Sequence, residues 1–494
     1  MSVRPYQTRC ENELLSYVLR GASTVLHSPT GSGKTRMATN VIKELIKMQF
    51  RIGFTVHRKE LLRQACRSLG DAGIPHGLIA PGHEPTSHQV HVASINTILS
   101  RGSTLDDWVG SLDLCVPDEC HHTPADGYSR FIGCLPDNCV LAGLSATPWA
   151  ADRGPLGHPF REVVRAPNEM QLTEAGYLAP VRVFAPPFGR VDALRGVKKI
   201  GEEFNRKVLS KLFDKPEFNR PAVSYYAKYM AGHPCIVWCV GVQHAMHVAN
   251  MFKAAGWRAK AVYGDMDEGE RERVLHPETG ELATGETQVV CFADLLGEGV
   301  DIPAVSGAIL LRPTHSLKFF RQVVGRIERP VYAPGYDLDE RDGRLAAIAA
   351  SWKPWATLID LRDNISVHGM PDDEVPWTLS DGIRGVYRNL RPTTRCGTCF
   401  CVFDRDTRHC PACGSQNPIS PHNATLLRPT LLRGYDANAV RRMPLDEAVS
   451  LARTQHDFNF IAASRRLPNG WAKSEFYAKC HREEQVALRR AGLA

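Results

Sequence analysis

Residues 24–27 form a short β-branched, apolar run, and after a polar turn Met37, Val41, Leu45 and Met48 recur at helical spacing. The pattern then repeats. Residues 52–56 predict a strand and 59–69 a helix; 90–93 predict another strand, followed by a short apolar segment at 95–99. Two further buried strands are expected at 112–116 and 140–144. Strands alternating with helical segments predict a parallel sheet with crossover helices. A less regular stretch covers 150–220, and beyond it a second such pattern begins. Its strands are expected at 235–240, 259–263, 288–292 and 307–311, with an amphipathic helix at 244–255. A chain of 494 residues is too long for one hydrophobic core, so two α/β domains are the natural reading.

Little else in the pattern points to a membrane or to secretion. The most apolar stretch, 304–311, is far too short to span a bilayer. Residues 1–7 lack the apolar core of a secretory signal. A cytoplasmic protein is expected.

The polar turn after the first strand carries chemistry. Ser28-Pro29-Thr30-Gly31-Ser32-Gly33-Lys34-Thr35 lies between a strand and a helix, the context a phosphate-binding loop requires. Gly31 and Gly33 let the backbone fold so that successive N–H groups, including those of Thr30 and Ser32, point inward at phosphates. The helix N-terminus adds a field that favours anions. Lys34 would reach the β- and γ-phosphates of ATP, and the Thr35 hydroxyl would hold Mg²⁺. Ser28 stands where the commonest form of this loop has its first glycine. Farther on, Asp118 and Glu119 end an apolar run. Two adjacent carboxylates there are costly unless they serve a cation or a reaction. Asp118 can bind Mg²⁺ through water, and Glu119 can orient and deprotonate an attacking water.

These residues together resemble the superfamily 2 helicases of the DEAD/DEAH-box type. Lys34-Thr35, Asp118-Glu119-Cys120-His121 and Ser145-Ala146-Thr147 look like motifs I, II and III. Arg4-Pro5-Tyr6-Gln7 is similar to the adenine-reading element, which implies that Gln7 hydrogen-bonds the base. Residues 54–61 resemble motif Ia, whose backbone-contacting role would fall on Arg58. Residues 296–303 resemble motif V. Gln322-Val323-Val324-Gly325-Arg326-Ile327-Glu328-Arg329 fits motif VI, Gln-x-x-Gly-Arg-x-x-Arg. Arg326 and Arg329 are three apart, so on a helix both would project from one face as a clamp on a γ-phosphate. An arginine presented across a domain cleft stabilises transition-state charge. Pro117 departs from the usual aliphatic residue before Asp118, and a slight local distortion of that strand is expected.

Cysteine and charge sharpen the picture of the C-terminal part. Cys396, Cys399, Cys410 and Cys413 form a C-x₂-C…C-x₂-C set, the spacing of a closed, structural Zn²⁺ site, with Cys401 and His409 as alternative ligands. Most of the other cysteines lie in apolar runs, where cysteine acts as a small buried hydrophobe. Residues 391–494 hold 16 Lys and Arg against 9 Asp and Glu, which is the whole net charge of +7. A basic region on a neutral body suggests a phosphate polymer as partner. Segments at 360–364, 368–369 and Asn469-Gly470-Trp471-Ala472 are similar to elements of phage-type and bacterial relatives of the restriction-enzyme helicases. Residues 331–355 look inserted.

The expected architecture is two tandem RecA-like domains, at 1–155 and 221–390, joined by a connecting segment at 156–220. A zinc ribbon at 391–420 and a basic, mostly helical region at 421–494 would follow. The resemblance implies an ATP hydrolase that moves along or remodels nucleic acid, DNA before RNA. A restriction or defence motor that pumps duplex DNA without unwinding it, and an RNA helicase, are the alternatives.

Overall fold

A computed structural model describes residues 4–150, 154–186, 199–200, 203–293, 305–375, 377, 379, 391–417, 437–452, 455–465, 467–468, 471–472, 474–475 and 478–479. The segment resembling motif V lies outside these residues, as do Asn469 and Gly470.

Among the described residues the first sheet has seven strands: β1 (Thr24–His27), β2 (Ile52–Val56), β3 (His76–Ile79), β4 (Val90–Ser94), β5 (Leu114–Pro117), β6 (Val140–Ser145) and β9 (Glu162–Arg165). A two-stranded hairpin, β7 (Trp149–Ala150) and β8 (Gly154–Pro155), interrupts the chain between the last two. The order is β3-β4-β2-β5-β6-β1-β9, and every pairing is parallel. Strands β1, β2, β5 and β6 are almost wholly buried, which is why they read as unbroken apolar runs and not as alternating ones. One face packs on helices α1 (Pro5–Leu19), α2 (Lys34–Lys47) and α3 (Lys59–Asp71). The other carries a second cluster around Trp108, Tyr128 and Phe131. Because all strands run the same way, their carboxyl ends, and the loops that leave them, share one edge.

Among the described residues the second sheet has eight strands, ordered β14-β15-β13-β16-β17-β10-β19-β18. They are β10 (Val181–Phe184), β13 (Cys235–Trp238), β14 (Ala259–Tyr263), β15 (Val289–Ala293), β16 (Gly307–Leu310), β17 (Ala356–Asp360), β18 (Thr393–Arg395) and β19 (Cys401–Asp404), with a small hairpin, β11 (Lys199–Ile200) and β12 (Glu203–Phe204), apart from them. The first six strands of that order are parallel, and β19 and β18 are added antiparallel. Apolar clusters cover both faces. Two parallel-rich sheets covered by helices are the tandem RecA-like architecture.

Two features differ from the sequence reading. The stretch expected to connect the domains supplies a strand to each, β9 beside β1 and β10 beside β17. The four-cysteine segment extends the second sheet through β19 instead of standing apart from it. Pro117 does perturb its strand. The β5–β6 ladder runs through Leu114↔Val140 and Cys115↔Leu141, then lapses until the Asp118↔Leu144 bridge, because a proline has no N–H to give.

Near the C-terminus, helices Ala437–Arg442, Leu445–Leu451 and Gln455–Arg465 close a small core of their own around Val440, Phe458 and Ile461. Trp471 and Ala472 pack into this core. Some of its basic residues have internal duties: Arg441 donates to Ser464 O, Arg465 to Val440 O, and Lys479 to the carbonyls of Val449, Ser450 and Ala452. Among the described residues no helix is long and apolar enough to cross a membrane.

Candidate ATP-hydrolysis site

The phosphate-loop segment leaves the carboxyl end of β1 and enters α2 at Lys34. Gly31 and Gly33 have φ of 82° and 94°, left-handed values that side-chain-bearing residues rarely adopt. Ser28, where the commonest loop has its first glycine, is buried; its Oγ meets Ser32 Oγ at 2.5 Å, and Ser32 Oγ donates to Pro29 O. The Lys34 ammonium folds back onto the carbonyls of Ser28 (3.1 Å) and Pro29 (3.5 Å). Burial pulls its pKa below the ordinary lysine value, while Glu119 and Asp118 oppose that fall and Arg326 adds to it. The four groups therefore share one electrostatic space. Thr35 follows on the first turn of α2.

Gln7 lies on α1, 2% exposed, and its carboxamide donates to Ser32 O at 2.9 Å. Tyr6, its neighbour in the same element, donates its hydroxyl to the same carbonyl at 2.6 Å. The segment that resembles the adenine-reading element is thus tied directly to the glycine-rich loop. A Cβ on Gly33 would fall 2.6 Å from Gln7 Nε2, a second reason for glycine there.

At the end of β5, Asp118 is 7% exposed and accepts the Glu119 N–H at 3.0 Å. Glu119 sits at φ 51°, ψ 52°, a left-handed conformation uncommon for a residue with a side chain and typical of functional sites. His121 Nδ1 lies 3.3 Å from Glu119 Oε2 and 3.2 Å from Ser145 Oγ, which accepts the Thr147 N–H at 3.0 Å. Motifs II and III are therefore joined by one histidine. Asp118 and Thr35 supply a carboxylate and a hydroxyl beside a phosphate loop, a hard-oxygen donor set that fits Mg²⁺.

Motif VI comes from the other domain. Helix Leu317–Ile327 buries Gln322 and Arg326, at 5% and 9% exposure. It brings Gly325 against the phosphate loop so closely that a Cβ on Gly325 would lie 2.4 Å from Thr30 Cβ. A Cβ on Gly31 would be 3.8 Å from Gly325 O and 3.9 Å from Arg329 Cγ. One expectation is corrected here. Arg329 is not on the helix with Arg326, because the helix ends at Ile327 with Glu328 as its C-cap. Pro330 disfavours helical backbone at the residue before it. Arg326 lies in the last turn of the helix and Arg329 two residues beyond its end, so the two do not share one helical face. Ion pairs also link the domains: Glu60 of α3 meets Arg271 at 2.9 Å, and Arg63 meets Glu268.

Cys396, Cys399, Cys410 and Cys413 place their sulfurs within 4.8 Å of one another. Closest approaches are 3.6 Å for Cys396–Cys413 and 3.5 Å for Cys399–Cys410. Four thiolates around tetrahedral zinc stand about 3.8 Å apart, so the cluster fits that ion. Cys401 and His409 are not in it. Cys401 lies 1% exposed in the core of the second sheet, and His409 pairs with Gln416. The segment at 360–369 is held by internal hydrogen bonds. Buried Asp360 accepts from Arg362 N, Asn364 Nδ2 and Ile365 N, and His368 Nε2 meets Thr314 O.

Residues 1–150 match the family model of the type III restriction enzyme res subunit, and 220–330 match the helicase conserved C-terminal domain. A 51.5 kDa protein of a Lactococcus phage (isolate 7-9) is 26% identical over 463 residues, 92% of either chain. IRC3 of Saccharomyces cerevisiae, provisionally named an ATP-dependent helicase, is 24% identical over 345 residues, 66% of this chain and 49% of that one. The chain thus spans about half the length of that yeast relative. Among solved structures, a fragment provisionally identified as the HsdR subunit of a Vibrio vulnificus type I restriction enzyme superposes with a TM-score of 0.54. It is 21% identical, over 75% of this chain and 68% of that one. The chain is a superfamily 2 helicase, an ATP-hydrolysing enzyme related to the helicase subunits of restriction enzymes.

Proposed function

We propose that this helicase is a DNA motor whose ATP site is completed across the cleft between its two domains. The observation that carries the reading is the packing of Gly325 and Arg329 against Thr30 and Gly31. In this reading Thr30, Gly31, Ser32 and Gly33 cradle the phosphates with their backbone, and Lys34 draws charge from the β- and γ-phosphates. Gln7 reads the adenine from a position fixed by its bond to Ser32. Thr35 and Asp118 would hold Mg²⁺, which when bound neutralises phosphate charge. Glu119 orients and deprotonates the attacking water, its carboxylate steadied by His121. Gln322, Arg326 and Arg329 face the γ-phosphate from the second domain, and Arg329 supplies the transition-state charge. Hydrolysis removes the group that holds the domains together, so the cleft opens and closes once per turnover. The Cys396, Cys399, Cys410 and Cys413 cluster carries a structural Zn²⁺.

The track is duplex or single-stranded DNA in a bacterial or phage-infected cytoplasm. Support comes from the restriction-enzyme family matched by the first 150 residues. A cavity of about 500 Å³ lies at the carboxyl ends of β2, β3 and β4, lined by His57, Lys59, Arg63, His83 and Asn96 among others. A concave, partly basic surface on the strand-end edge suits a phosphate backbone. The alternative is translocation on duplex DNA without strand separation. ATP turnover measured with single-stranded DNA, duplex DNA, forked DNA and RNA tests the choice. Stimulation by DNA, and little by RNA, is expected; RNA as the stronger stimulator removes the DNA reading. Duplex stimulation without strand displacement supports the translocase form.

A further inference from the structure

Residues 331–355 run from the end of motif VI, through helix Arg341–Ala349, to β17. Lys353 in this segment is 1% exposed, a rare state for a lysine without close partners. Its ammonium donates to Ile327 O and to Arg329 O, at 2.7 Å each. The carbonyl between them, that of Glu328, accepts the Ala179 N–H at 2.7 Å. The last carbonyls of a helix have no partner within it. Here three in succession, through Arg329 itself, are held from two directions. Pro330 then fixes the next φ. The main chain of Arg329 is pinned, and its side chain starts out against the Gly31 turn.

The other end of the segment is anchored as firmly. Tyr332 donates to Gly176 O at 2.7 Å, Arg341 to Glu174 O at 2.8 Å, and Arg344 to Ala175 O at 2.8 Å. The Arg344 guanidinium also lies 4.2 Å from the centre of the Tyr177 ring. The segment is a strut between the 174–179 stretch and the end of the motif VI helix.

We propose that Lys353 is a positioning residue for Arg329, so that the 331–355 strut governs the hydrolytic step and not ATP affinity. This rests on the role given to Arg329 above. A flexible ammonium with three donors can hold two carbonyls at once. Burial beside Arg329 lowers its pKa to about 7, against the opposing pull of Glu328, and either protonation state keeps donors for both carbonyls.

The test is a double-mutant cycle in the full chain, reading kcat and KM for ATP with the polymer that stimulates turnover most. Lys353→Met is expected to lower kcat about 10- to 100-fold, as a small misplacement of a catalytic group does, and to leave KM within about twofold. In an Arg329→Ala background the same change should cost nothing further. Equal fold losses in both backgrounds overturn the proposal, because a merely structural lysine would act regardless of Arg329. Unchanged turnover in Arg329→Ala alone removes the arginine reading and this proposal with it; a large loss there with an additive Lys353 effect removes this proposal only. Where the methionine variant does not fold, Lys353→Leu, which also removes the donors, takes its place in the same cycle and under the same criteria.

Discussion

Gly325 of the second domain lies against Thr30 of the first with no room for a methyl group between them; a Cβ there would come within 2.4 Å of Thr30 Cβ. The residue is inside a helix, where glycine is usually a weakness of about 0.5–1 kcal/mol relative to alanine. Helix propensity and domain contact therefore make opposite demands.

Gly325→Ala should separate the two demands. The second domain should unfold at the same temperature or slightly higher, while ATP turnover falls by about tenfold or more because the arginines are held back from the phosphates. Thermal unfolding followed beside steady-state turnover checks both. Wild-type turnover in this variant would show that the close contact is not needed for hydrolysis.

Much of this site was legible because its signals are local. Strand, glycine turn and helix follow one another within residues 24–47, and the Asp118-Glu119 pair ends a buried run. What escaped the sequence depends on distant partners. β9 has only one fully buried residue, Val164, and becomes a strand because β1 accepts it. β19 is antiparallel to β10, more than 200 residues away, so nothing near Cys401 reveals the pairing. The three-residue spacing of Arg326 and Arg329 suggests one helix, yet Pro330 marks a helix end before it. The left-handed Glu119 and the carbonyl-holding Lys353 have no sequence signature at all.

The zinc assignment predicts about one Zn²⁺ per chain in protein purified without chelator. Cys410→Ser should lose it and lower the unfolding temperature by several degrees, because the cluster closes the β18–β19 hairpin that extends the second sheet through β10. Metal analysis that finds no zinc in the unchelated wild type, or finds it undiminished in Cys410→Ser, counts against the site.

His244 is buried neutral: its Nδ1 accepts the Val240 N–H at 3.1 Å and its Nε2 faces Asn219 Oδ1 at 3.0 Å. Burial, with Arg362 nearby, lowers its pKa from 6.5 to about 3. The unfolded chain thus takes up this proton near pH 6.5 and the folded chain does not, so the stability His244 contributes is present above pH 6.5 and is lost as pH falls below it. The urea-measured stability gap between wild type and His244→Gln should be widest near pH 7.5. It should narrow toward pH 5, by at most about 1.4 kcal/mol per pH unit. A gap that stays constant over that range contradicts the assignment.

In the proposed cycle ATP is hydrolysed between the two domains, with Arg329 acting across the cleft. Its most direct test compares nucleotide binding with turnover in Arg329→Ala, beside Lys34→Ala as the variant expected to abolish hydrolysis. ATP affinity in Arg329→Ala should stay within a few-fold of wild type while turnover falls by about 10³-fold or more. Parallel loss of binding and turnover, or turnover near the wild-type rate, would contradict this cycle.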